Sequence, residues 1–128
     1  MIAADTSALI AVVLGEPDAE SFLAALRSDA VAISAVSFAE ALIVAEARQG
    51  PDARRDLELL VAGAVERVVP VDDSHAREAT GAWRRFGKGR HPAGLNFGDC
   101  FAYATASLAN LPLLFKGNDF AQTDLRAA

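Results

Sequence analysis

The 128-residue chain has one cysteine, two histidines and no apolar run long enough to span a membrane. With Cys100 alone an internal disulfide is excluded, and a reducing cytosol is the natural setting. So few Cys and His residues offer no ligand set for zinc. The apolar stretch from Ser7 to Leu14 falls far short of the roughly 20 residues that a span requires, and no basic segment precedes it as in a secretory leader. Positive charge is also in deficit. Against 17 Asp and Glu stand 12 Lys and Arg, for a net charge of −5. That balance argues against non-specific duplex binding, whose affinity comes largely from basic side chains neutralising phosphates. Internal repeats, linkers and low-complexity tracts are absent too. The expectation is a cytoplasmic protein with residues 1–128 in one domain, large enough to remove roughly two-thirds of its unfolded surface from water.

What is there alternates between short apolar strands and helical patterns, the signature of an α/β fold. Ile2 to Ala4 reads as a buried strand, followed by Asp5-Thr6-Ser7 as capping residues for a helix that Gly15 breaks. Pro17 suits the first position of a second helix with Phe22, Leu23 and Leu26 inward. Val31 to Ser34 is a second strand, Ser34 to Gln49 a helix stopped by Gly50-Pro51, and Pro51 to Gly63 another. Arg67 to Val71 is a β-branched strand. Asp72-Asp73-Ser74 caps a helix whose stripe of Ala76, Ala79, Trp83 and Phe86 is read as core, with Arg77, Glu78, Arg84 and Arg85 towards solvent. Gly87 to Gly94 then reads as a mobile basic loop. Gly98 to Asn110 is a helix of small residues, and Leu113 to Phe115 a last strand.

Three acids stand alone in this pattern. Asp5 is the only charge from Met1 to Gly15, Glu40 the only one from Ala30 to Ala45, and Asp99 the only charged residue between His91 and Lys116. An unpaired ion away from water costs several kcal/mol or more, so each needs a partner. Taken alone, Glu40 fits a buried ion pair with an arginine as well as a functional role. In an open parallel sheet, ligands bind at the carboxyl ends of strands. Asp5 and Asp119 follow strands, Asp99 opens a helix whose amino end points to the same edge, and Glu40 can project back towards it. Four carboxylates gathered without bases raise one another's pKa. A hard divalent cation, Mg²⁺ or its substitute Mn²⁺, resolves the conflict.

Such an ion can deprotonate a water and stabilise the charge that develops on a phosphodiester, so metal-dependent hydrolysis suits the constellation. Near misses narrow the choice. A P-loop is excluded by five residues between Gly81 and Gly87 and by Gly89 after the lysine. A phosphoaspartate phosphatase usually carries a second Asp where Ser7 stands.

The segments Met1 to Leu9, Ser34 to Glu40, Leu95 to Tyr103 and Leu113 to Phe120 together resemble the PIN-domain ribonucleases, and among them the VapC toxins of bacterial toxin-antitoxin pairs. The resemblance spans the chain, with all four acidic motifs in order. It implies a three-layer α/β/α sandwich around a parallel sheet of four to five short strands. It also implies an endoribonuclease whose Mg²⁺ site is Asp5, Glu40, Asp99 and Asp119. Thr6 would assist beside Asp5 through its hydroxyl or amide, and Asn118 or Asp124 would contribute from behind the ligands, with Asp124 an alternative fourth acid. A homodimer, an antitoxin of VapB type and an RNA substrate are the implied partners.

The basic patch Arg84, Arg85, Lys88 and Arg90 is a candidate for RNA phosphates, a solvated helix end being the plainer alternative. Leu9, Val12, Val13, Leu42 and Ala45 suit either a groove for an antitoxin segment or core, and Cys100 reads as a small core residue. Two other readings remain open: a catalytically silent PIN-like module that binds RNA or protein, and a Mg²⁺ phosphohydrolase acting on small molecules.

Overall fold

The computed structural model describes residues 1–128. Four strands, β1 (Ile2–Ala4), β2 (Val31–Ser34), β3 (Arg67–Val69) and β4 (Leu113–Leu114), lie in the order β3-β2-β1-β4, all parallel. Six helices connect them: α1 (Thr6–Val13), α2 (Ala19–Ser28), α3 (Ala35–Gln49), α4 (Pro51–Ala64), α5 (Asp73–Phe86) and α6 (Phe97–Ala109).

Strand alternation divides the core in two. Ile2 and Ala4 point to one face of the sheet, where with Val31, Ile33 and Leu114 they meet Leu9 of α1, Leu26 of α2, Ala41 and Ala45 of α3 and Leu57 of α4. Ala3 and Leu113 point to the other, against Ala79 and Ala82 of α5 and Ala102, Tyr103 and Ala106 of α6. The result is the three-layer sandwich with four parallel strands. Because β1 leads outward to β2 and β3 and the chain returns to place β4 on its other side, the strand order reverses at β1. At such a reversal the loops diverge and leave a crevice at the strands' carboxyl ends. Asp5 follows β1 directly into that crevice.

Several sequence expectations shift here. Helix α2 starts at Ala19, two residues after Pro17, and its N-cap Asp18 makes no side-chain cap bond. Strand β3 ends at Val69, and α6 starts at Phe97, because Asn96 supplies the cap. The inward stripe of α5 is His75, Ala79, Ala82 and Phe86; Ala76 is exposed and Trp83 is 45% exposed. Only Gly87 admits that indole, since a Cβ there would lie 2.5 Å from Trp83 Cδ1. The basic loop is also pinned. Lys88 N donates to the Leu95 carbonyl and Leu95 N to the Phe86 carbonyl, both at 2.9 Å, while Ala93 N donates to His91 Nδ1 at 3.0 Å. Of the candidate groove residues, Leu9 and Ala45 are buried, and Val12, Val13 and Leu42 pack against the first core.

Candidate active site

Asp5 is the N-cap of α1 and is only 4% exposed. Its Oδ2 accepts from Ser7 N at 3.0 Å and from Ser7 Oγ at 2.6 Å. Ser7 Oγ in turn accepts from Lys116 N at 2.9 Å, which ties the end of β1 to the end of β4. Asp5 Oδ1 is buried and has no hydrogen-bond partner. Burial pushes the Asp5 carboxyl above its ordinary range; the Ser7 bonds oppose this, and the Glu40 charge adds to it.

Asp99 is held differently. It is the third residue of α6, where its Oδ2 accepts from Asn96 N at 3.0 Å while Asn96 Oδ1 accepts from Asp99 N at 2.9 Å. This reciprocal capping box fixes the carboxylate at the helix entrance. Burial raises its pKa to about 6; the hydrogen bond from Asn96 opposes the shift, and the charges of Asp5, Asp119 and Glu40 add to it. The helix dipole favours the ionised form, yet burial and neighbouring acids outweigh it here.

Glu40, one and a half turns into α3, has neither a salt bridge nor a hydrogen-bond donor in the chain, so the ion-pair reading of this residue does not hold. Its carboxylate lies over Gly98: a Cβ there would sit 2.7 Å from Oε2 and 2.8 Å from Oε1. Asp5, Glu40, Asp99, Thr6, Ser7, Asn96 and Arg48 line one open pocket. Asp119, exposed at the start of the short 3-10 turn Phe120–Gln122, adds its charge to this group. No three carboxylates yet converge at the separation one ion would impose.

Other predicted members take different places. Thr6 Oγ1 donates to the Ser37 carbonyl at 2.9 Å, anchoring α1 to α3, and only its amide serves Asp5. Asn118 precedes Asp119, and its carbonyl accepts from Gln122 Nε2 at 3.4 Å. Asp124 stands apart from the cluster. Its Oδ1 accepts from Tyr103 Oη at 2.5 Å and its Oδ2 from Arg85 Nη1 at 3.4 Å, while Arg85 Nη2 donates to Tyr103 Oη at 2.7 Å. Arg85 is thereby engaged by Asp124 and Tyr103, though still exposed, as are Arg84, Lys88 and Arg90. Three participants escape a sequence reading. Gly98 makes room for Glu40, Ser7 holds Asp5, and Arg48 brings a cation without an ion-pair partner. Of the three, only Ser7 is signalled locally, by its place in the capping triplet that follows the first strand.

The donor set suits a hard divalent cation. It consists of carboxylate oxygens, one of them buried with no partner, at positions where mutual repulsion already favours a bound positive charge. No sulfur or imidazole lies among the pocket's lining residues.

Residues 2–125 match the PIN domain family. The ribonuclease VapC30 of Mycobacterium tuberculosis is 48% identical over 122 residues, covering 94% of this chain and 93% of that protein. Among solved structures, M. tuberculosis VapC20, described as a Sarcin-Ricin loop cleaving toxin, superposes with a TM-score of 0.82 at 18% identity over 100% of this chain and 98% of its own. VapBC2 from Rickettsia felis, bound to a DNA fragment from the pair's promoter, superposes at 0.76 with 14% identity over 100% and 98%. With the fold, the acids at the sheet's reversal and close relatives in agreement, the chain belongs to the VapC ribonucleases of the PIN-domain family.

Proposed function

We propose that this VapC ribonuclease hydrolyses RNA phosphodiester bonds with Mg²⁺, or Mn²⁺ in its stead, bound by Asp5, Glu40, Asp99 and Asp119. The observation that carries this reading is the buried, unpartnered Oδ1 of Asp5 beside Asp99 and Glu40, none of them in a salt bridge. A divalent ion bound there would supply Lewis acidity for the attacking water and the scissile phosphate. Asp5 and Asp99 act as the fixed members, one locked by Ser7 and the other by its capping box. Glu40 is the adjustable one, with both oxygens free of donors and therefore able to orient the water and receive its proton. Arg48 lines the same pocket and can balance a phosphate against the carboxylates.

The same reading gives the chain a toxin's setting: one PIN unit over residues 1–128, a homodimer in the cytoplasm, restrained by an antitoxin of VapB type. Support for the partner comes from the likeness to a VapBC structure. That no helix is long and apolar enough to cross a membrane accords with this setting. Chain purified free of any partner should cleave structured RNA with Mg²⁺ and stop when EDTA is added. Asp99→Asn should slow cleavage at least about a hundredfold, beyond the ten- to hundredfold typical of residues behind a metal's ligands. Cleavage by Asp99→Asn at the parent's rate would refute the site.

A further inference from the structure

The pocket that holds the acids must admit substrate, so its walls stay open in any assembly that cleaves RNA. Among its lining residues only Arg48 and Lys116 carry positive charge. Arg48 stands on α3 eight residues beyond Glu40, about 12 Å along the helix. Lys116 follows β4, and its main-chain N–H donates to Ser7 Oγ, the hydroxyl that donates to Asp5. The two cations differ in state. Arg48 has no ion-pair partner, whereas Lys116 Nζ donates to Glu16 Oε1 at 2.9 Å and to Asp18 Oδ1 at 3.1 Å. Both acceptors belong to the turn between α1 and α2, and Glu16 itself lines the pocket.

Exposed pairs of this kind are worth little and weaken with salt. An ammonium group has three donors, so one remains after both carboxylates are served, and the Lys116 side chain is 38% exposed. A bound cation can meet the scissile phosphate, but the phosphate next to it enters a pocket whose wall carries Glu16. Repulsion there is relieved only by a base that can turn to the strand. We propose that Lys116 is a latch for the RNA backbone: held by Glu16 and Asp18 in the free chain, it passes to the phosphate adjoining the scissile bond when RNA enters. Phosphate oxygens accept the same charge-assisted bonds as the carboxylates they displace. The proposal rests on the reading that RNA is the substrate. It makes Glu16 and Asp18 competitors of the substrate, which lower affinity for any strand whatever its sequence.

The test is binding of a fluorescently labelled single-stranded RNA oligomer to the full chain, read by anisotropy over a range of salt concentrations. Ca²⁺ replaces Mg²⁺, since carboxylate oxygens accept either ion. Lys116→Met should flatten the plot of log affinity against log salt by about 0.7, the share of one phosphate contact on a single strand, and Lys116→Arg should keep the parent's slope. Glu16→Gln combined with Asp18→Asn should tighten binding about threefold, the worth of an exposed ion pair, and by less where Lys116 is already Met. These side chains lie outside both cores, so the substitutions leave the packing intact. A slope that Lys116→Met leaves unchanged would overturn the proposal. So would an equal gain from the two acid substitutions with and without the lysine, which would make them a plain source of repulsion. Failure of the metal-ribonuclease reading would appear separately, as the predicted slopes with no cleavage in Mg²⁺.

Discussion

Asp5 and Asp99 differ in how they are held, and that difference separates stability from activity at single residues. In Asp5→Asn the amide oxygen can still accept both Ser7 bonds, and the charge disfavoured by burial is gone. The cation-free variant should melt at or above the parent's temperature by calorimetry while losing RNA cleavage. Asp99 gives a pH signature. Its folded pKa of about 6 exceeds the ordinary 3.8, so the protonated form is the one the fold favours. Its contribution to stability is complete below about pH 3.8 and is lost as pH rises through about 6. Melting curves without divalent ions should therefore show stability falling across that window, with the fall reduced in Asp99→Asn and the remainder carried by Asp5, whose carboxyl is raised in the same direction. Asp124 supplies the contrast. Bound to Tyr103 and Arg85, it ties the terminal segment to α5 and α6, and its charge helps push the Tyr103 hydroxyl up to about 12, behind the larger effect of burial. Asp124→Ala should lower the melting temperature yet leave cleavage per folded molecule near the parent's. The Cys100 thiol, pushed up to about 11 by burial, stays protonated and inert.

At the level of elements, the site is the meeting of two helix entrances with a third helix's flank. Helix α1 presents Asp5 at its cap, α6 presents Asp99 in its first turn, and α3 lowers Glu40 onto the backbone of α6 at Gly98. Gly98→Ala would add a methyl group where the Glu40 carboxylate now lies. The atoms in the way end a flexible side chain, so the fold should survive with a near-parental melting temperature, while cleavage falls about tenfold or more as Glu40 is displaced. Asp5 was legible because strand end, capping residue and apolar run follow one another in the sequence, and Asp99 because it is the only charge in a long apolar stretch. Gly98 was not, since the need for it arises from α3, far away in the chain. Trp83 misled for a related reason. Its spacing fits a buried stripe, but α5 is rotated so that His75 and Ala82 face inward, and Gly87 leaves the indole room on the surface.

For the whole molecule, the order β3-β2-β1-β4 explains why residues so distant in sequence share one crevice: the sheet reverses at β1, and Asp5 stands there. Alternation of apolar strands and helices made the layers readable in advance. That Asp5, Glu40 and Asp99 line one pocket could be expected from the rule that strand ends gather ligands and from the family resemblance, and the separate place of Asp124 only from tertiary packing. A chain with a net charge of −5 that concentrates acids in one pocket is primed for a cation. Mg²⁺ or Mn²⁺ should raise the melting temperature at neutral pH more than at pH 5, where protons compete for Asp99. The most direct measurement is a Mn²⁺ titration of the purified chain followed by electron paramagnetic resonance. The account predicts saturable binding at neutral pH, weakened at least about tenfold in Asp5→Asn and in Asp99→Asn, since each removes one of the set's ligating charges. Absence of binding, or binding that neither substitution changes, would contradict it.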